Sequence, residues 1–281
     1  MFDLKGKRVI RVFCRKTSYT PVDDMAFVGE PPLMRPEADE VHISVVFSWD
    51  VRYAEHLQDA WEQYYPKVRL GGPAMGNKGE GFTPGMYIKP GVTFSSRGCP
   101  NACNWCLVPE REGRLRLFDP IAEGYIIGDN NLLSCPSSHR WKVFEMLRRQ
   151  KRAAIFSGGL QASLVTDEIA EELRGLRIDS LFLAADTEGA LKPLAKALGR
   201  LSFLPRRKLR CYVLCAYNGE TIEHARARLE RVWEMGAMPF AMLYQPPERW
   251  IDYACGWRAL ARQWSRPAAM FASHPSGLER G

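Results

Sequence analysis

The chain has 281 residues, 46% apolar and 25% charged, enough to bury a sizeable core without disulfide staples. No apolar run approaches the roughly eighteen residues of a membrane span, and the start, MFDLKGKRVIRVFCRK, lacks the long apolar core of a secretory leader. A cytoplasmic protein with no membrane contact is therefore expected. Its net charge of +7 permits an anionic partner without demanding one, and its eight cysteines do not read as a disulfide framework in such a compartment.

Residues 17–40 are rich in proline and acid and read as an extended loop. VHISVVFSWD (41–50) is a β-branched, apolar run suited to a buried strand. Residues 51–65 follow with helical spacing, putting Ala54, Leu57, Ala60, Trp61 and Tyr64 near one face. KVRLGG (67–72) reads as a second short strand. This makes a small Rossmann-like strand–helix–strand unit, assigned to an N-terminal α/β appendage over 1–90. The glycine-rich stretch 71–85 carries no Gly-x4-Gly-Lys-Ser/Thr and reads as a surface loop.

From residue 91 the alternation becomes regular. Strands are expected at 91–96, 124–131, 153–160, 180–186, 210–217 and 239–245, and helices at 140–150, 167–176, 190–201 and 221–236. Thr166 is a good N-cap, with Asp167 and Glu168 in the first turn. Strands separated by helices imply a parallel sheet, and curling it gives a partial (β/α)6 barrel over 91–250. A helical tail is assigned to 251–281. Trp250, Trp257 and Trp264 recur every seven residues and are expected to form one stripe over the barrel wall; His274 reads as a surface residue. The basic runs 146–152 and 204–210 read as solvated helix ends or loops, with a phosphate-contacting surface as the sharper alternative.

In such a fold, chemistry sits at the C-terminal ends of the strands. Those ends carry Ser95-Ser96, Asp129-Asn130-Asn131, Gly158-Gly159, Asp186, Tyr217-Asn218 and Tyr244-Gln245. The first runs directly into RGCPNACNWC, which places Cys99, Cys103 and Cys106 in a Cys-x3-Cys-x2-Cys spacing. A structural zinc or an electron-transfer cluster wants four ligands, and only a distant residue such as Cys135 is on offer as a fourth. Three thiolates can instead hold a 4Fe–4S cubane by three irons and leave the fourth open to a reagent. Cys211 and Cys215, four apart on a strand, share a face and read as small buried thiols.

CPNACNWC resembles the Cys-x3-Cys-x-aromatic-Cys loop of the radical S-adenosylmethionine superfamily, with Trp105 in the aromatic place. The resemblance covers roughly residues 91–250. It implies that Cys99, Cys103 and Cys106 ligate a 4Fe–4S cluster whose open iron chelates S-adenosylmethionine. It implies that one electron, from a reductant such as flavodoxin or ferredoxin, then cleaves the sulfonium C–S bond. The 5′-deoxyadenosyl radical so formed abstracts hydrogen from a substrate, here an unidentified small molecule, peptide or nucleic acid. By the same resemblance Asp129 and Asn130 occupy the place of the segment that meets the methionine amino group. Gly158 and Gly159 let backbone approach the ligand, Asp186 accepts ribose hydroxyls, and Trp105 packs near adenine.

YVLCAYNGET (212–221) is similar to the fifth-strand segment of the branch that often carries a cobalamin domain, and the N-terminal unit looks like a truncated end of such a domain. No Asp-x-His occurs in the chain, so cobalamin is not expected. The arrangement as a whole, including TSYTP and VFSWD, is similar to small stand-alone members found in bacterial and phage sequences. The competing expectation is a non-catalytic protein, stabilised by zinc or an iron–sulfur cluster, that binds nucleic acid through the basic runs.

Overall fold

The computed structural model describes residues 6–76 and 82–274. Part of the expected glycine-rich loop and the end of the tail lie outside the described residues. In chain order the N-terminal part contains β1 (Val9–Phe13), β2 (Ala26–Val28), β3 (Glu40–Ser44), α1 (Val51–Glu62) and β4 (Val68–Gly71). These strands form a four-stranded, all-parallel sheet in the order β2-β1-β3-β4. The strand–helix–strand reading was thus too small, and the loop assigned to 17–40 contains β2. β1 escaped because Arg11 interrupts its apolar run. That guanidinium is fully buried, pairs with Asp23 and donates to the carbonyl oxygens of Gly85 and Met86 at 3.2 and 2.8 Å.

Helix α1 covers one face of this sheet. Ala54, Leu57 and Trp61 are fully buried with Ile10, Val12, Val41 and Ile43, and the Trp61 indole donates to the Gly29 carbonyl at 3.1 Å. Ala60 and Tyr64, expected on the same face, are partly and half exposed, because the apolar stripe is one residue narrower than its spacing suggests. Trp61→Ala would empty the centre of this small core. It is expected to cost about 3–5 kcal/mol in urea unfolding.

The rest of the chain builds a six-stranded, all-parallel sheet. Its elements are β5 (Val92–Thr93), β6 (Ser96–Arg97), α2 (Val108–Arg111), β7 (Arg116–Leu117), β8 (Ile126–Ile127), α3 (Ser137–Arg149), β9 (Ala154–Phe156), α4 (Asp167–Arg174), β10 (Ile178–Ala184), α5 (Leu191–Arg200), β11 (Leu209–Cys215), α6 (Ile222–Glu234) and β12 (Met238–Leu243). The spatial order is β12-β11-β10-β9-β8-β5, so each strand pairs with its neighbour in the β-α series. β6 and β7 form a separate antiparallel ribbon. The expected strand at 124–131 shrinks to two residues, because Gly128 and Asp129 already turn toward the strand ends.

One face of the large sheet buries Phe156, Leu181, Leu183, Cys211 and Val213 against the helices. Cys211 and Cys215 are both fully buried there. Burial lifts the Cys211 thiol well above its usual range and pushes Cys215 up to about 12, as expected of inert core thiols. The alternate residues Phe182, Tyr212 and Phe240 stack on the opposite face, which the helices leave uncovered. Tyr19, from the N-terminal segment, reaches this inner face and donates to Ser157 Oγ at 2.5 Å. Thr166 caps α4 as expected, accepting from the Ile169 N–H at 3.2 Å, and Thr221 does the same for α6.

The tail holds α7 (Cys255–Gln263) and α8 (Pro267–Ser273). Trp257 and Trp264 pack on the core, but Trp250 precedes the helix, so the sevenfold spacing does not place it on their stripe. It is 55% exposed and meets Trp49 edge-on at 4.9 Å. His274, expected at the surface, is partly buried: its ring lies 5.1 Å from both Trp233 and Trp264. Among the described residues no helix is long and apolar enough to cross a membrane.

Candidate functional site

The cysteine loop leaves β6 at the C-terminal end of the first strand of the large sheet. Gly98 opens it with φ +80°, and an added Cβ would lie 2.2 Å from the Arg114 carbonyl oxygen, so only glycine fits. Glu112 then clamps the loop. Its carboxylate pairs with Arg97, accepts from the Gly98 N–H at 3.0 Å and accepts from Asn130 Nδ2 at 2.5 Å. Sequence reasoning missed Glu112, because an acid between arginines in PEREGR looks like a solvated surface charge.

Cys99, Cys103 and Cys106 lie close enough to perturb one another, and Cys106 is exposed. Burial, followed by the neighbouring thiols and Asp186, raises the Cys103 thiol. Partial burial of its sulfur also raises Cys106, with Cys99, Asp186 and Glu112 adding to it and a backbone hydrogen bond to Val108 opposing it. Two N–H groups point at sulfur: the Asn101 amide lies 3.4 Å and Asn131 Nδ2 3.8 Å from Cys99 Sγ. Gln161 Oε1 holds both residues, accepting from Asn101 Nδ2 at 2.8 Å and Asn131 Nδ2 at 2.7 Å. The Asn131 Oδ1 atom is buried with no hydrogen-bond partner.

Among the described residues no group of three or more His, Cys, Asp or Glu side chains converges on a point that would hold a metal ion. The donor set nonetheless fits an iron–sulfur cluster in its chemistry: three soft thiols on one loop, with N–H donors aimed at sulfur. Cys135, the distant fourth candidate, is buried beneath the loop and bonds to Ser96 Oγ at 3.4 Å; its electrostatic neighbours are Asp129 and Arg140.

The other expected residues meet at the same rim, in changed roles. Asp129 is turned inward and only 1% exposed. Its oxygens accept from the Ser95 N–H at 2.7 Å, Ser95 Oγ at 2.5 Å and Ser96 Oγ at 2.6 Å. It ties the second strand end to the first from a buried position. Asn130 is committed to Glu112. Gly158 is required by the protein's own backbone, since an added Cβ would fall 1.9 Å from the Asp129 carbonyl oxygen. Gly158→Ala is expected to destabilise the fold by about 1–3 kcal/mol through forced backbone shifts, read as a lowered denaturation midpoint. Gly159, with φ +88°, lies beside Tyr212, whose ring an added Cβ would meet at 3.8 Å.

Asp186 ends β10 and accepts from the Leu214 N–H at 3.1 Å. It lies beside the Trp105 side chain and near Cys103 and Cys106, which brings the end of the fourth strand next to the cysteine loop. Burial raises its carboxyl, against the pull of Leu214, Trp105 and Arg228. Trp105 meets Tyr217 at 5.8 Å, and Tyr217 meets Tyr244 at 4.9 Å, forming an aromatic wall. Tyr217 stands on a strained turn: Ala216, Asn218 and Gly219 all have positive φ, at 64°, 51° and 74°. Glu220 braces that turn, accepting from the Ala216 N–H at 3.0 Å and pairing with buried Arg228 at 2.7 Å.

The basic runs are largely engaged within the molecule. Arg148 pairs with Glu145, Arg149 with Glu123, and Arg152, Arg206 and Arg210 lie over Tyr125, Trp233 and Phe182. No family model, curated protein or solved structure matches this chain, so fold and site rest on its own residues.

Proposed function

We propose that the chain is a radical S-adenosylmethionine enzyme built on a partial (β/α)6 barrel. The observation that carries this reading is the position of the cysteine loop. It leaves the C-terminal end of the first strand of a six-stranded parallel α/β sheet and lies beside Asp186 at the end of the fourth. Cys99, Cys103 and Cys106 would hold a 4Fe–4S cluster, and Cys135, engaged with Ser96, is not a fourth ligand. When bound, the cluster supplies the electron that cleaves the sulfonium C–S bond of S-adenosylmethionine.

The chain's own residues do the positioning. The Asn101 and Asn131 N–H groups, aimed at Cys99 Sγ, orient that sulfur. Glu112 fixes the entry to the loop, and Asp186 lies beside Trp105. Trp105, Tyr217 and Tyr244 meet edge to face and form an apolar corner whose ring faces suit an adenine. Asn131, with its unpartnered buried oxygen, replaces Asp129 as the second-strand residue suited to a ligand amine. Exposed Cys106 marks the side from which a cytoplasmic reductant such as flavodoxin or ferredoxin would deliver the electron.

The test is anaerobic reconstitution with iron and sulfide, reduction, and addition of S-adenosylmethionine. Formation of 5′-deoxyadenosine and methionine is expected. A colourless protein holding stoichiometric zinc, with no cleavage, would contradict the reading.

A further inference from the structure

A cavity of about 800 Å³ lies between the N-terminal sheet and the cysteine-loop side of the large sheet. This is within the usual size of a small-molecule site. Its first wall is the face of β3 and β4 turned away from α1, where the alternate residues His42, Ser44, Arg69 and Gly71 line it. Its second wall is Phe94, Arg97, Arg111, Glu112 and Phe118. Phe82 closes the space, packing edge-on against Phe94 at 5.2 Å.

The chemistry of these walls is specific. Among the described residues, three arginines line the cavity against one carboxylate, Glu112. That carboxylate is already occupied by Arg97, which lies flat over Phe94 at 4.6 Å. The Arg111 side chain makes no hydrogen bond or ion pair among the described residues. On the opposite wall Arg69 shares Glu40, at 3.3 Å, with Lys7 and His42. Two guanidinium groups therefore face the space from opposite walls with at most a shared counter-charge. Between them stand Phe82, Phe94, Phe118 and Tyr87, whose rings suit a flat ligand. Guanidinium forks match phosphate geometry.

We propose that this cavity binds a small molecule made of a planar ring carrying a phosphate group, with Arg111 and Arg69 taking the phosphate and the phenylalanines the ring. The wall residue Glu112 also grips Gly98, so the bound molecule lies against the cysteine loop. Its designation as the substrate rests on the proposed function; its binding does not.

The test is calorimetric titration of the full chain with AMP, adenosine and inorganic phosphate, repeated with Cys103→Ala protein that holds no cluster. AMP is expected to bind below about 1 mM, and each fragment at least about ten-fold more weakly. Arg111→Ala and Arg69→Ala, checked for wild-type circular dichroism, are each expected to weaken AMP about ten-fold and leave adenosine unchanged. Binding that survives in Cys103→Ala protein keeps the cavity reading separate from the fate of the cluster. Failure of AMP to bind more tightly than adenosine would overturn the proposal. So would AMP binding that both arginine variants leave untouched, which would place the nucleotide elsewhere, including against the Trp105 wall.

Discussion

Cys103→Ala is expected to abolish cluster retention and S-adenosylmethionine cleavage together. Cys103 is the middle of three thiols on one loop, so its loss leaves two ligands, too few to hold a cubane. Iron content after reconstitution should fall to background, and 5′-deoxyadenosine formation by more than about 100-fold, beyond the loss seen when only an outer-shell partner of a metal ligand is removed. Cys135→Ala separates the ligand set from a general need for cysteine. Cys135 serves Ser96 beneath the loop, so its loss should cost some stability and leave cluster content intact. Retained turnover in Cys103→Ala protein would refute the ligand assignment.

The second large effect belongs to Asp129. Three donors at 2.5–2.7 Å converge on its buried carboxyl. Asp129→Ala leaves all three without an acceptor. At roughly 1–3 kcal/mol for each stranded donor, the cluster-free protein should lose about 3 kcal/mol or more. Asp129→Asn keeps the shape and part of the bonding, so it should lose less.

The pH dependence has a definite sign. Burial raises the Asp129 carboxyl above its ordinary range, against the pull of Ser95 and Ser96. The folded chain then holds this proton more tightly than the unfolded chain. The contribution to stability is full below about pH 4 and falls as pH rises through the folded value. Urea unfolding of wild type and Asp129→Asn should therefore converge as pH rises from about 4 to about 7. A gap that widens with pH would show a depressed carboxyl instead.

These two residues show how far the sequence could be read. The cysteine triplet is local: its spacing within eight residues is enough to single out the three proposed ligands, and the regular β-α alternation after residue 91 is enough to expect the six parallel strands. Asp129 and Gly158 were legible as rim residues but not in their roles. Their partners, Ser95-Ser96 and the Asp129 carbonyl, lie about thirty residues away, and only the packing of neighbouring strand ends brings them together. The same holds for Asp186 and Trp105, expected to meet a ribose and an adenine and found beside each other. Glu112 gave no signal, since its value lies in three unrelated donors that the fold gathers around it. β1 was lost for a simpler reason: its buried arginine breaks the apolar alternation on which strand recognition depends.

The most direct measurement is Mössbauer spectroscopy of the iron-57-reconstituted protein with and without S-adenosylmethionine. The account predicts a cubane held at three irons, with one iron site changing its signal when the sulfonium compound is added. A cubane whose four sites all ignore the addition, or a protein that takes up no cubane, would contradict it.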